Sequence, residues 1–404
     1  MSLEIQQVYD KNCLKLGENQ QPNFKIQVLQ DNQQQINFKE YVEQLQNQDH
    51  KEELAFMDAA LQEIGYKSIR FAGKGSFGTV IIGEDQNKNR FAFKLISIRT
   101  IQGNINKDKK NQAQKEAQIM SQMDHSNVVK FYKSYETFNY FIIQMEECKG
   151  DLYKLIEINH FLSLESFIKY GKEISEGIQY IHDKGLVLRD LKPDNILIDK
   201  MNVAKVADFG LAAHVMRGTS RVNYSFQGAI SFRAPELQNE ICQQFFEQLK
   251  QEDSCLVQQS KKSDCFSLGL IFCFCLGASF EKLFDIIKQG PSKIDTPANI
   301  NSVREQQCID RMLKLLCEQH PNKRMSIQNV IIQFEILQNQ YLSSQMNQYL
   351  SSQMNQYLSS QMNQQVLIQT QPISNQKIIM LAENQSGYNQ LADNIKEENE
   401  KSQI

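Results

Sequence analysis

The chain has 404 residues and a formal net charge of −3, with 41% hydrophobic and 23% charged residues. Such a chain is long enough to bury a large core, and its charge gives no electrostatic reason for nucleic acid or an anionic membrane as the main partner. Its nine cysteines lack a CxxC pair or a regular framework and read as reduced thiols, which predicts an intracellular, cytoplasmic protein with the nucleus as the alternative.

Nothing in MSLEIQQVYDKN has the basic region and apolar core of a secretory leader. The longest apolar run, Cys265 to Phe280, is shorter than the roughly 20 residues that a membrane span needs, and reads as a buried helix. Residues 1–64 are rich in Gln and Asn and read as a flexible extension. Within them Leu54, Met57, Leu61 and Ile64 recur at helical spacing, which predicts a helix from Asp49 to Ile64 that docks on the domain after it.

From Tyr66 the texture changes to strand, glycine turn, strand. Between the strands lie Gly73, Lys74, Gly75, Ser76, Phe77, Gly78, Thr79 and Val80, where glycines let backbone N–H groups approach a triphosphate and Phe77 can cap it. A strand follows Val80 where a dinucleotide fold would place a helix. Lys94 lies on the next strand among Phe91, Phe93 and Leu95. After a polar segment from Gln102 to Gln112, the helix QKEAQIMSQM offers Glu116 as its partner. Strands are predicted at Val128–Tyr135 and Tyr140–Met145, then a connector from Glu146 to Leu152. A helix with an apolar stripe of Phe167, Tyr170, Ile174, Ile178 and Ile181 comes next.

The segment after that helix carries Asp190, Lys192, Asn195 and Asp208. A carboxylate beside a nucleophile, a cation beside a phosphate, and an amide with a carboxylate for divalent metal are the groups that phosphoryl transfer uses.

From Tyr66 to Leu337 the chain resembles the eukaryotic protein kinases. The resemblance rests on the glycine loop, FAFK at 91–94, Glu116, LRDLKPDN at 188–195, DFG at 208–210, APE at 234–236, Asp264 and Arg324. It implies an α+β, bilobal fold: a small β-rich lobe with one helix at about 65–146 and a larger helical lobe at about 150–337. It also implies Mg²⁺–ATP, with Mn²⁺ as the alternative metal. Nucleotide-binding residues would be Gly73, Lys74, Gly75, Ser76, Phe77, Gly78, Val80, Ala92, Lys94, Met145, Glu146 and Cys148. By the same resemblance Lys94, held by Glu116, orients the phosphates, and Asn195 and Asp208 hold metal. Asp190 is the catalytic base, and Lys192, of the serine/threonine type, balances charge on the transferred group. The implied partner is a protein with a Ser or Thr hydroxyl. Arg324 would pair with Glu236.

The chain departs from the family pattern at three places. Leu188 replaces the usual histidine, with loss of a hydrogen bond of order 1 kcal/mol; the column Met120, Phe131, Leu188 and Phe209 can still pack. Ala229 replaces a threonine that would support Asp190 and Lys192. The polar stretch at about 238–262 reads as an inserted loop or short helix. A scaffold without catalytic activity is the rival reading that Leu188 and Ala229 raise. Ser225, with Thr219 and Ser220 in reserve, is the expected site of phosphorylation by another kinase or by the protein itself, with Arg189 as the phosphate's partner.

The tail, 338–404, holds three identical QYLSSQMN repeats at 340–347, 348–355 and 356–363. On a helix each repeat turns the pattern by roughly 80°, so no single apolar stripe forms, and the expectation is disorder.

Overall fold

In RFAFKLIS the period of a strand puts Phe91, Phe93 and Leu95 on one face and Ala92, Lys94 and Ile96 on the other. Both sets avoid water only in the middle of a sheet that is covered twice. The structure, a computed structural model, describes residues 48–75, 78–100, 103–214, 232–237, 253–294, 300 and 302–369. Its first sheet contains β1 (Lys67–Gly75), β2 (Gly78–Glu84), β3 (Arg90–Ser97), β4 (Phe131–Glu136) and β5 (Tyr140–Glu146). The strands are antiparallel in the order β1-β2-β3-β5-β4, with β3 central.

The helix expected before the sheet forms as α1 (Gln48–Glu63). Its Leu54, Met57, Ala60 and Leu61 share one apolar cluster with Ile81, Phe93, Leu95, Tyr140 and Ile142. These partners lie on the face of β3 opposite Lys94, which we call the outer face. The inner face carries Lys94 and lies towards α2 (Lys107–Met120), whose Ala113, Glu116, Ala117 and Met120 are buried. This helix begins earlier than the polar sequence at 102–112 suggested. Asn106 caps it by accepting the Lys109 N–H at 3.0 Å, and Asp108 lies in the first turn, where the helix dipole favours an acid.

A short strand, β6 (Gly150–Asp151), leads to α3 (Leu152–Asn159), capped by Asp151, and to α4 (Leu164–Asp183), capped by Ser163. The predicted stripe of α4 is its buried face. Then come β7 (Leu186–Val187), β8 (Ile196–Ile198), β9 (Ala204–Val206) and β10 (Ala213–His214), paired as β6-β8-β9 and β7-β10. Val128 and Val129 were expected to open a strand of the first sheet. Instead the Val129 N–H donates to Val206 O at 2.9 Å and the Val206 N–H to Asn127 O at 2.8 Å. Those two bonds stitch the small lobe to the large one.

The large lobe continues with α5 (Asp253–Cys275), α6 (Phe280–Gln289), α7 (Val303–Leu316) and α8 (Ile327–Gln369). The run from Cys265 is buried through Cys275, as its length and polarity implied. Of the polar insertion, 253–262 forms the first turns of α5, continuous with that buried run, while 238–252 lies outside the described residues. Two compact units divide the chain, Met1–Glu335 and Ile336–Ile404.

The repeats differ from expectation, because α8 runs through all three copies. Residues 327–369 contain no Gly or Pro, and Leu, Met and Gln are good helix formers, so nothing in the backbone interrupts the helix. The turning pattern keeps its other consequence: Leu342, Met346, Tyr349, Leu350 and Met354 are exposed.

Candidate active site

A lysine side chain on a central strand has to find carboxylates or lose its charge. Lys94 is buried, and its Nζ lies 2.6 Å from Glu116 Oε1 and 3.0 Å from Asp208 Oδ1. Burial by itself would lower the pKa of the ammonium, but Glu116 and Asp208 outweigh it and hold Lys94 above its ordinary value. Burial likewise opposes ionisation of Asp208, yet the neighbouring Lys94 holds that carboxyl below the usual range. The inner face of β3 presents Lys94, α2 presents Glu116, and the segment after β9 presents Asp208. Gln112 of α2 adds a bond to that segment, its Nε2 donating to Gly210 O at 3.1 Å.

The loop after β7 is held from below by one buried carboxylate. Asp264 on α5 accepts the Leu188 N–H at Oδ2 and the Arg189 N–H at Oδ1, both at 3.0 Å. The Nε2 of His182 lies 2.8 Å from the same Oδ2. Arg189 and Asp208 adopt φ of 69° and 62°, the left-handed region that costs a non-glycine residue about 1–3 kcal/mol. The bonds at Asp264, Lys94 and Gly210 hold that geometry. Leu188 is itself buried with Met120 and Phe209, and Phe131 is half-buried. Leucine at 188 brings no side-chain polar group of its own into that buried position.

On this platform Asp190 Oδ2 receives the Lys192 ammonium at 2.7 Å. Asn195 Nδ2 donates to Asp190 O at 2.7 Å and reaches Oδ2 at 3.4 Å. Oδ1 of Asp190 and Oδ2 of Asp208 make no hydrogen bond within the described residues. The amide of Asn195, committed through Nδ2, leaves Oδ1 as the acceptor it can offer a cation. One amide and one carboxylate oxygen near a lysine suit a hard divalent ion that keeps water and phosphate ligands.

In the glycine loop, Gly78 has φ 145°, and a Cβ there would come within 2.7 Å of Leu95 O, so the turn itself demands glycine. Gly73 differs, since a Cβ there would meet no atom of the described residues within 4 Å. The described residues leave the space beside it open, as close approach of a phosphate to bare backbone requires. Ser76 and Phe77 lie outside the described residues. Lys74 directs its ammonium to Glu53 Oε2 of α1 at 2.7 Å. Val80 pairs with Lys94 and Ala92 with Met145, so the inner face continues to the start of the connector. There the Glu146 N–H is taken by Lys130 O at 3.0 Å. Cys148 is half-buried, and burial pushes its thiol up to about 12, so it stays a neutral thiol. Taken together, the open backbone, the paired lysine and the available oxygens fit Mg²⁺ and a nucleoside triphosphate.

The family model for the protein kinase domain matches residues 66–342. The chain belongs to the eukaryotic protein kinase family. The chain is similar to calcium-dependent protein kinase 4 of Plasmodium berghei, 33% identical over 156 residues that make 37% of this chain and 29% of the relative. It is similar to serine/threonine-protein kinase cds1 of Schizosaccharomyces pombe, 29% identical over 274 residues, 65% of this chain and 56% of the relative. A third relative, mitogen-activated protein kinase kinase kinase 1b of Physcomitrium patens, is 34% identical over 171 residues, 42% of this chain and 22% of that protein. The chain thus spans between 22% and 56% of the length of these relatives.

Away from the cleft, the kinase domain is anchored by Arg324. All five of its guanidinium N–H groups are used: Nη1 and Nη2 reach Glu236 at 2.6 and 2.7 Å, and the rest donate to the carbonyls of Glu318, Gln319 and Lys262. Ser263 adds a hydroxyl on Glu236 Oε1 at 2.7 Å. The sequence reading overlooked His182, Gln112 and Asn127. His182 follows the α4 stripe by one position and could have been noticed as a polar residue on an apolar helix; the other two carry no local signal. Thr219, Ser220, Ser225 and Ala229 lie outside the described residues.

Proposed function

We propose that the protein is a serine/threonine protein kinase that moves the γ-phosphoryl group of ATP to a protein hydroxyl. The observation that carries this reading is the state of Asp190. Lys192 and Asn195 engage its Oδ2, so Oδ1 is the oxygen left to accept the proton of an incoming Ser or Thr. Lys192 sits beside both the base and the transferred charge, the arrangement that the resemblance associates with serine/threonine kinases. Lys94, ionised and held by Glu116, orients phosphate oxygens. Asp208 and Asn195 hold the metal, which when bound neutralises phosphate charge. Positioning and electrostatics, not covalent chemistry, then account for the rate.

Protein substrates, placement in the cytoplasm, and control by phosphorylation at Ser225, Thr219 or Ser220 belong to the same proposal. The test is transfer of radiolabel from ATP to generic protein substrates with Mg²⁺, followed by identification of the labelled amino acid. Wild type should label serine and threonine, and Asp190→Asn should lose roughly two to four orders of magnitude. Nucleotide binding without any transfer that depends on Asp190 would overturn the enzymatic reading in favour of a scaffold.

A further inference from the structure

The helix α1 lies before residue 66, where the family match begins, yet it is built into the nucleotide-binding sheet. Its four buried side chains sit on the outer face, against Ile81, Phe93 and Leu95, directly behind the strand positions that carry Val80 and Lys94. Register shows where its influence leads. Lys74 of the glycine loop pairs with Thr79, and Thr79 pairs with Leu95. Side chains alternate along these strands, so Lys74 belongs to the outer face with Leu95, and Val80 belongs to the inner face with Lys94. On that outer face Lys74 meets Glu53, next to the buried Leu54 and one turn before the buried Met57, at 2.7 Å.

A glycine loop needs the freedom that glycine provides, and that freedom has to be lost each time a triphosphate is bound beneath it. A helix seated by apolar packing is a rigid point of attachment, whereas the described backbone of the loop is held by the β1–β2 ladder and by the pairing of Thr79 with Leu95. We propose that Glu53 is a positioning residue that tethers the glycine loop through Lys74, so that α1 sets the loop's resting position and the affinity for ATP. It acts through the loop backbone and touches neither substrate nor the reacting atoms. This proposal rests on the nucleotide-binding reading of the site for its effect on ATP, but the tether itself does not.

Both side chains are partly exposed, so the pair's effect falls in the range of exposed ion pairs, about 2- to 5-fold in an equilibrium constant. The experiment uses the full chain as wild type, Glu53→Gln and Glu53→Asp, and repeats the Glu53→Gln change in a Lys74→Met background. Two quantities are read: amide hydrogen exchange of residues 73–80 without nucleotide, and the KM for ATP against kcat.

Glu53→Gln should speed exchange of the loop amides and raise KM about 2- to 5-fold while kcat stays within about twofold. Glu53→Asp should recover most of both effects, and in the Lys74→Met background Glu53→Gln should add nothing. Unchanged exchange in Glu53→Gln, or the same change with Lys74 absent, overturns the tether. Faster exchange with an unaltered KM overturns its role in ATP affinity, and a wild type that binds no nucleotide overturns that role together with the kinase reading, while the exchange data still decide the tether.

Discussion

Two buried ion clusters of similar bond length lie in this protein and are built for opposite purposes. At Arg324 every donor is taken, both Glu236 oxygens are bonded, and the arginine side chain has 0% exposure. At Lys94 the same shortness occurs, with 2.6 Å to Glu116, but the third member, Asp208, keeps 24% of its side chain exposed and an oxygen that makes no bond among the described residues. Saturation makes the first cluster a rivet, because any change leaves a charge buried and unpaired. Incomplete saturation makes the second a site, able to take a cation and phosphates without first breaking its own bonds. Residue type follows use: arginine's planar fork matches a carboxylate in two bonds, and lysine's point charge can be shared among changing partners.

Lys94→Met should break the contrast most visibly. Transfer should fall by about two or more orders of magnitude, since a preorganised charge at the phosphates is lost, while the protein stays folded. Turnover and thermal melting measured together check this, and collapse of the fold would erase the distinction between site and rivet. The reverse pattern is expected for Arg324→Met. It strands Glu236 and should remove about 3–5 kcal/mol of stability, read by denaturant titration, and Arg324→Lys should recover only a part.

Leu61→Ala asks whether α1 belongs to the folded core. Leu61 has 0% exposure, and the truncation should destabilise by about 2–5 kcal/mol in the same titration. A loss under about half a kilocalorie would show that the helix merely rests on the sheet.

Acid titration sharpens the site half of the comparison. The folded carboxyl of Asp208 lies below its unfolded value because of Lys94, so its stabilising contribution is present above about pH 4 and is lost as pH falls through the folded value. Lys94 lies above its unfolded value, so its share is full below about pH 10 and fades only at higher pH. Between those limits the pair adds no pH dependence. Lys94→Met removes the group that holds Asp208 down, so the stability difference between wild type and Lys94→Met should shrink as pH falls below about 4, read by denaturant titration followed by circular dichroism. The smallest effect expected is that of Leu188→His, within about 1 kcal/mol, because the backbone amides of 188 and 189 already bond to Asp264. A tenfold gain in turnover would show instead that leucine there holds the loop poorly.

Much of this arrangement was legible from the chain. Glycine spacing followed by a strand, a lysine between buried aromatics and a glutamate on the next helix pointed to the pair at 2.6 Å. Asp190, Lys192 and Asn195 are close in sequence, and their contacts are correspondingly local. Other features were not legible. Val128 and Val129 have strand propensity, and only the approach of β9 decides that they pair with Val206. The repeats were read as disordered because their apolar residues form no stripe, but the backbone lacks any residue that breaks a helix, and α8 continues through them.

By itself, then, the sequence determined the kinase motifs, the strand that carries Lys94 and the carboxylate and amide that metal would need, since period and local spacing encode them. Tertiary structure alone decided that Asp208 joins Glu116 on Lys94, how Asp264 and His182 hold the loop under Asp190, and that Lys74 turns to Glu53 on a helix outside the family match. Those relations join residues from different elements, and a buried charge or an apolar face selects its partner only when packing brings the two out of water together.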